Sequence, residues 1–309
     1  MYLEKINSPA DVKKLTVDEM TALAEEMRKA LLFRLSKHGG HFGPNFGMVE
    51  ATIAMHYVFE SPKDKIVFDV SHQSYPHKML TGRKESYLDA DKFDDISGYT
   101  NPEESEHDFF TVGHTSTSVS LASGLAKARD LRGEEGNVIA VIGDGSLSGG
   151  EALEGIDFAG EMDTNFIIVV NDNNMSIAEN HGGMYRNLKL LRDTEGKAEC
   201  NLFKAMGLYF FKQKTAYEIP QADIERYEKE LYNGKQSYKM EDGYIRASLF
   251  RNISTSKNSR TNLSSSAERI VRFIKTQYPK ERQTFISFCI NPLKFSYGYY
   301  IYTLRRILI

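Results

Sequence analysis

Two runs of five apolar residues constrain the fold more than any other feature of this chain. Residues 138–142 (VIAVI) and 166–170 (FIIVV) have strand length, and residues 151–162 between them have the pattern of a helix. Strands that are apolar throughout occur in parallel sheets whose faces are both covered by helices. The connection is long enough for one right-handed βαβ crossover. The sequence therefore predicts an α/β fold: a doubly wound, mostly parallel sheet with helices on both faces.

Further elements are predicted from local signals. Thr16 and Glu19 form a capping box pattern before a helix that Gly39 ends. Three more segments are then predicted, namely a helix at 48–59, a buried strand at 66–68 and a helix at 117–131. Together with the two apolar runs, they give the alternation of strands and helices that a parallel sheet requires.

The composition excludes several classes of protein. Hydrophobic residues at 41% and charged residues at 26% are typical of soluble globular proteins. The two cysteines, Cys200 and Cys289, are too few for a disulfide framework, so we expect a reducing, cytoplasmic setting. No signal peptide and no run of about 18 apolar residues is present, so we expect no membrane association.

A polar triplet follows each of the two apolar runs. Gly143-Asp144-Gly145 follows the first, and Asn171-Asp172-Asn173 follows the second, with 29 residues from Asp144 to Asn173. Either triplet alone is more often a turn, but the carboxyl ends of parallel strands share one sheet edge, where ligands bind. A hard dication prefers oxygen ligands. Asp144, Asn173 and the carbonyl of Met175 are thus the predicted metal ligands, and the glycines allow phosphates to approach.

This pair of triplets resembles the thiamine-diphosphate motif of transketolase-like enzymes. Residues 36–83, 105–131, 141–155 and 171–180 follow one another as they do in the 1-deoxy-D-xylulose-5-phosphate synthase family. The resemblance covers residues 1–209. It implies an enzyme that depends on thiamine diphosphate and Mg²⁺ and condenses pyruvate with glyceraldehyde 3-phosphate to 1-deoxy-D-xylulose 5-phosphate, a precursor of isoprenoids.

The resemblance also assigns roles to individual residues. It implies catalytic or active-centre roles for three histidines: His41, His72 and His114. It implies contacts to the cofactor by a set of loop residues: His72, Gly113, His114, Thr115, Gly145, Ser146 and Asn173. It implies that Mg²⁺ is held by Asp144, Asn173 and the carbonyl of Met175. Histidine suits proton transfer near neutral pH because its side chain titrates there.

Other histidines have weaker claims to a function. His56, on an apolar helical face, is predicted to be a structural residue, whereas His77 and His107 remain open between structural and functional roles. The chain also departs from the family pattern. Pro44 replaces a small hydroxyl residue, Ser71 replaces the common glycine before His72, and the segment after Asn180 is short. These departures predict a divergent branch.

The last third of the chain has a different character. Residues 1–219 carry 23 Lys and Arg against 34 Asp and Glu, whereas residues 220–309 carry 16 against 8. All eight histidines lie at or before His181, and the stretch FFKQKTAYEI from Phe210 resembles the translation of a sequencing adapter. We predict a cofactor-binding domain over 1–209 and a non-homologous or chimeric, poorly ordered tail over 210–309. A continuous natural gene across this junction would contradict the chimeric origin.

These boundaries predict that the chain alone is inactive. The family activates its cofactor with a glutamate from a second domain, which no remaining segment resembles, and full-length members are expected to be homodimers. Two alternatives stay open: the N-terminal subunit of a split transketolase, and a non-catalytic module that binds diphosphate and Mg²⁺. Nucleic-acid binding is not expected, because the basic residues of the tail lie on no periodic face.

Overall fold

A computed structural model describes residues 1–162, 164–172, 175–176, 178–194, 198, 200–206, 208–214 and 298–304. The helices in this part of the chain are α1 (Pro9–Val12), α2 (Val17–His38), α3 (Gly43–Gly47), α4 (Val49–Val58), α5 (Tyr75–Lys78), α6 (Glu85–Leu88), α7 (Ser118–Arg132), α8 (Asp144–Leu147), α9 (Gly150–Glu161), α10 (Gly183–Asp193) and α11 (Leu202–Ala205). The strands are β1 (Lys65–Phe68), β2 (Val138–Gly143), β3 (Phe166–Asn171), β4 (Met175–Ser176), β5 (Ala178–Glu179), β6 (Leu208–Lys214) and β7 (Gly298–Leu304).

The main sheet has the strand order β1-β2-β3-β7-β6. β1, β2 and β3 are parallel neighbours, with Lys65 opposite Val138 and Val138 opposite Phe166. β7 is antiparallel to both β3 and β6. The prediction of a mostly parallel α/β sheet is confirmed. β7 belongs to the predicted tail and lies inside the sheet, between β3 and β6. β4 and β5 form a separate two-stranded antiparallel sheet.

The core sits around the three parallel strands. Every residue from Val138 to Ile142 is fully buried, and those from Phe166 to Val170 are at most 1% exposed. Because successive side chains of a strand point to opposite faces, complete burial requires cover on both faces. The apolar faces of α4, α7, α9 and α10 join these strands in one cluster. The sheet is therefore packed on both faces, and the ends of its strands determine where the following loops begin.

A second cluster surrounds the long helix α2. Thr16 begins this helix as predicted, since its hydroxyl accepts from the Glu19 amide at 3.3 Å while the Glu19 carboxylate accepts from the Thr16 amide at 2.8 Å. Gly39, with φ 86°, ends it. Leu23, Met27 and other apolar side chains of the helix pack against those of α4, α5 and α6. This layer supports the loop that follows α2.

Among the described residues, no helix combines the length and the apolar character needed to cross a membrane.

The helices α7 and α9 approach each other closely at Gly155. A Cβ added there would lie 2.7 Å from the Ser120 hydroxyl oxygen and 2.9 Å from the Ser120 amide nitrogen. At Gly124, also helical, an added Cβ would meet nothing within 4 Å. The first glycine is thus required by packing, whereas the second is not.

We expect Gly155→Ala to lower the free energy of unfolding by about 1–3 kcal/mol, because the methyl group must push the two helices apart. Gly124→Ala should raise it by up to about 1 kcal/mol, because alanine favours the helix and meets no neighbour. Urea unfolding followed by circular dichroism measures both. Equal effects of the two substitutions would contradict the close approach.

Candidate functional site

β1 ends in a turn of left-handed residues. Val70 has φ 56° and Ser71 has φ 65°, in a region that β-branched residues rarely adopt. The preceding Asp69 is 1% exposed, and its carboxylate accepts from the amides of Ser116 and Ser118, each at 3.0 Å. This buried carboxylate fastens the start of α7 to the end of β1 and supports the strained turn.

The Ser71 side chain compensates for its unfavourable backbone. Its hydroxyl donates to the carbonyl of Val112 at 2.8 Å and accepts from the amide of Thr100 at 2.9 Å. Ser71 is fully buried. Ser71 therefore ties two loops to the end of β1.

The turn presents His72 beside His41. Their ring centroids lie 5.3 Å apart with the ring planes at 74°. Nδ1 of His41 is 3.2 Å from the Tyr75 hydroxyl, and the Tyr99 ring lies 5.7 Å from the His41 ring. The structure thus brings two of the three predicted catalytic histidines together in an aromatic cluster.

Asn45 holds this pair in place, and sequence reasoning missed it. Its Nδ2 donates to the carbonyls of His41 and His72, both at 2.7 Å, and its Oδ1 accepts from the Tyr75 amide at 2.9 Å. The residue is fully buried. Two of its partners lie 27 and 30 positions away in the sequence, so no local pattern could have revealed the role.

Burial keeps both imidazoles neutral. It lowers the pKa of His41, and it lowers the pKa of His72 to about 4, with the neighbouring His41 adding to the effect. At neutral pH each ring therefore offers one donor and one acceptor nitrogen, and neither carries a charge.

The predicted cofactor loop at 113–115 lies at the surface. Gly113, His114 and Thr115 are all exposed, and Nδ1 of His114 lies 2.8 Å from the carbonyl of Thr115. The loop precedes α7, whose start is anchored on Asp69. His114 is therefore accessible to a ligand, whereas His41 and His72 are largely enclosed.

Asp144 stands at the end of β2 as the first residue of α8. It is 3% exposed; its carboxylate accepts from the Gly145 amide at 3.0 Å and from Nδ2 of Asn180 at 2.7 Å. The carbonyl of Ser146 accepts from the Ser116 hydroxyl at 2.6 Å, which joins this loop to the start of α7. The ends of β1 and β2 are thus connected through one segment.

Asp172, at the end of β3, is the buried neighbour of Asp144. Gly143 of β2 lies opposite Asn171 of β3 in the parallel pairing. Asp144 and Asp172 come directly after these two residues, so they are neighbours at the sheet edge. Burial raises the pKa of Asp144 well above its usual range, and the nearby Asp172 raises it further. The Asp172 carboxylate pairs with Nη1 of Arg192, which lies 2.8 and 2.7 Å from its two oxygens.

The described part of the predicted donor set is suited to a hard cation and a diphosphate. Asp144 offers a buried carboxylate at the sheet edge, while an added Cβ at Gly113 or Gly143 would meet nothing within 4 Å, so the backbone there is open to phosphates. Asn173 lies outside the described residues, and Met175 begins β4. No group of three or more His, Cys, Asp or Glu side chains suited to a metal occurs in the described part of the chain.

His56, His77 and Asp108 form a buried chain away from this edge. Nε2 of His56 lies 2.9 Å from Nδ1 of His77. Nε2 of His77 lies 3.1 Å from the Asp108 carboxylate. Nη1 of Arg83 donates to the same carboxylate at 2.7 Å. Burial lowers the pKa of both histidines. His107 is half-buried, with its Nδ1 2.8 Å from the Ser61 hydroxyl. These contacts connect α4, α5 and the loop before α7.

Comparisons with known proteins agree with the resemblance. The sequence model of a family described as 1-deoxy-D-xylulose-5-phosphate synthase matches residues 3–239, and that of a family of unknown function matches residues 193–309. The boundary at residues 209 and 210 stays a prediction. A transketolase from Leishmania mexicana aligns with a TM-score of 0.40 and 19% identity over 51% of this chain and 28% of that chain, a likeness too distant to carry an argument.

Two relatives show the extent of the match. The 1-deoxy-D-xylulose-5-phosphate synthase of Thermomicrobium roseum is 52% identical over 193 residues, which are 62% of this chain and 31% of that protein. The enzyme of the same name from Dictyoglomus thermophilum is 50% identical over 224 residues, 72% of this chain and 34% of that protein. The chain belongs to the 1-deoxy-D-xylulose-5-phosphate synthase family and spans about a third of the length of these relatives.

We expect Ser71→Ala to destabilise the protein by about 1–3 kcal/mol, because it keeps the left-handed backbone and leaves the buried Val112 carbonyl and Thr100 amide without the hydroxyl. Ser71→Gly loses the same hydrogen bonds but removes the strain, so its cost should be about 1 kcal/mol smaller. Chemical unfolding of both variants provides the comparison. A glycine variant as unstable as the alanine variant would mean that the turn is not strained.

The stability of the protein should fall in mild acid. Because the folded protein keeps its enclosed histidines, His56 and His77 as well as His41 and His72, neutral to a lower pH than the unfolded chain does, the unfolded chain takes up protons first as the pH falls. The free energy of unfolding should be at its highest above about pH 7. Below about pH 6.5 it should decline, by at most about 1.4 kcal/mol per pH unit for each histidine.

Urea unfolding at several pH values measures this slope. His56→Gln keeps an amide that can bond to His77 and should make the slope shallower between about pH 6.5 and 5. His181→Gln, at an exposed position, is the matched control. If both substitutions change the slope equally, the buried pair is not its source.

Proposed function

We propose that this chain binds thiamine diphosphate and Mg²⁺ where β1, β2 and β3 end, and that it contributes this half-site to the condensation of pyruvate with glyceraldehyde 3-phosphate. The observation that carries the proposal is the meeting of three features at one edge. They are the His41–His72 pair after β1, the buried Asp144 after β2 and the open backbone at Gly113.

The cation and the diphosphate have distinct partners in this proposal. Asp144, with Asn173 and the carbonyl of Met175, would hold Mg²⁺, since carboxylate, amide and carbonyl oxygens are its ordinary ligands. Gly145 and Ser146 would lie beside the diphosphate on one side, and residues 113–115 on the other. The Ser116 hydroxyl, bonded to the Ser146 carbonyl, supports this arrangement because it links the two loops.

Thiamine diphosphate, when bound, supplies a carbanion-forming ring that adds to a carbonyl and accepts the electrons released by decarboxylation. His41 and His72 would act on the substrates as neutral imidazoles, because burial lowers the pKa of both. A neutral imidazole can donate a proton from one nitrogen and accept one at the other. Asn45 would keep the two rings at a fixed separation through the loop carbonyls.

We propose further that turnover requires more than this chain. The curated relatives are about three times longer than the matched segment. A site held from one side leaves the reacting centre open to water, which catalysis of this kind excludes. A cytoplasmic location and a homodimer of the full-length relative complete the proposal.

The full chain should be stabilised against heat by thiamine diphosphate only when Mg²⁺ is present. Asp144→Asn should weaken that binding by about tenfold or more, since even outer partners of a metal site change affinity by about that factor. Asp157→Asn, an exposed carboxylate on α9, is the matched control and should bind as the parent does. Thermal unfolding with and without Mg²⁺ measures the stabilisation, and isothermal titration calorimetry measures the affinity of the two variants for thiamine diphosphate.

The same samples, mixed with pyruvate and glyceraldehyde 3-phosphate, should give no product by themselves. Binding that is independent of Mg²⁺, or equal in the two variants, would contradict the proposed cation site. Product formed at enzymatic rates by the chain alone would contradict the requirement for a further segment. If the rest of a relative, added in trans, restores no product, a non-catalytic module becomes the better description.

A further inference from the structure

The hydroxyl group of Tyr75 is held in a fixed place beside the His41 ring. Tyr75 is 3% exposed, and its side chain packs in the cluster around α2. A Cβ added at Gly40 would lie 2.9 Å from the hydroxyl oxygen, and one added at Gly98 would lie 3.3 Å from it. The Tyr75 amide donates to Oδ1 of Asn45 at 2.9 Å. The hydroxyl group is therefore enclosed by two loops, on a residue whose backbone is also held.

Within the described part of the chain, both hydrogen bonds of this hydroxyl group are with His41. The backbone amide of His41 donates to the oxygen at 3.4 Å, and Nδ1 of the His41 ring lies 3.2 Å from it. An amide N–H can only donate, so the oxygen is the acceptor in the first bond. Burial raises the pKa of Tyr75, so the hydroxyl group keeps its own proton at neutral pH. That proton is available for Nδ1.

The two neutral tautomers of His41 differ in what they leave unpaired. With the ring proton on Nε2, Nδ1 is an acceptor and the Tyr75 hydroxyl group donates to it. With the ring proton on Nδ1, the ring and the backbone amide would both donate to the hydroxyl oxygen. The hydroxyl proton would then have no acceptor among the described residues. A buried hydroxyl group without an acceptor is costly, so the contacts favour the tautomer protonated on Nε2.

Nε2 is the nitrogen of the His41 ring that a ligand can reach. It has no hydrogen-bond partner among the described residues, and it is not enclosed, since His41 is only partly buried. The His72 ring lies 5.3 Å from the His41 ring. A ligand bound beside this pair would therefore meet an N–H donor of His41 and not an acceptor.

We propose that Tyr75 is a positioning residue that holds the ring proton of His41 on Nε2, so that His41 donates a hydrogen bond to a substrate oxygen and does not act as a base. A carbonyl or carboxylate oxygen is the group that accepts such a bond. The proposal rests on the function proposed above for the presence of a substrate, and it narrows the two abilities of a neutral imidazole to one. The position of the proton itself requires no bound ligand.

¹⁵N NMR of the full chain, labelled at its histidines, measures where the proton lies. An unprotonated ring nitrogen resonates far downfield of a protonated one, and the couplings to the ring hydrogens distinguish Nδ1 from Nε2. The His41 signals are those that are missing from His41→Gln. At about pH 8, where the ring is neutral, the parent chain should show Nδ1 as the acceptor and Nε2 as the donor. In Tyr75→Phe the excess of this tautomer should fall about two- to tenfold, because the hydroxyl donor is lost.

Tyr87→Phe is the matched control. Tyr87 is buried as Tyr75 is, and their rings lie 5.9 Å apart. The Tyr87 hydroxyl group has no hydrogen-bond partner among the residues that the structure describes. Its removal should leave the His41 signals where they are in the parent chain. The comparison separates the hydrogen bond of Tyr75 from a general loosening of the core, and circular dichroism confirms that both variants fold.

The outcomes separate this proposal from the one it rests on. A parent chain with the His41 proton on Nδ1 overturns the role of Tyr75 without recourse to any variant. Signals that stay unchanged in Tyr75→Phe, or that change equally in Tyr87→Phe, overturn it as well, whether or not the cofactor binds. If the signals behave as expected but thiamine diphosphate with Mg²⁺ does not stabilise the parent chain, the proposed cofactor site fails and the role of Tyr75 stands.

Discussion

The buried carboxylate of Asp69 is the interaction on which the site depends. It accepts two amide hydrogen bonds from the segment that leads into α7, and hydrogen bonds to a charged group contribute about 1.5–3 kcal/mol each. Through Ser116 this segment also bonds to the Ser146 carbonyl after β2. The ends of two neighbouring strands and the start of one helix thus form a single connected unit. The contacts of this unit hold the turn at Ser71 in its left-handed conformation despite the backbone strain.

The treatment of buried charge differs between the body of the protein and the strand ends. In the body, Glu50 accepts from Nη2 of Arg28 at 2.5 and 2.6 Å, and Asp108 pairs with Arg83. Both of these carboxylates have a guanidinium in contact, whereas the buried Asp64 accepts from the amides of Glu60 and Asn137. At the edge, Asp172 has Arg192, whereas Asp144 has the amide groups of Asn180 and Gly145. Asp144 is therefore held by neutral donors at the edge where the cation is proposed to bind.

Local patterns predicted the elements well because they depend on near neighbours in the chain. The capping box at Thr16, the stop at Gly39 and the apolar strands β2 and β3 all stand where the sequence places them. The short helix α8 and the turn at Ser71 were not predicted, since they depend on contacts with distant loops. The resemblance implied separate roles for His41 and His72, but neither their contact nor the part of Asn45, which holds the pair, had a signal in the sequence. The roles of Asn173 and of residues 210–309 stay predictions.

The sequence by itself determined the parallel sheet, the edge at which its ligands would bind and the family of the chain. These follow from apolar periodicity and from short motifs, which are encoded within a few neighbouring residues. Only the tertiary structure decided which carboxylate is neutralised, which histidines meet and which are enclosed. The Arg192–Asp172 pair spans 20 residues, the His56–His77 contact 21, and the link from Asp69 to Ser118 spans 49. Burial makes an unpaired charge or polar ring costly, so each of these groups needs a partner. The partners are far apart in the sequence and meet only in the folded chain.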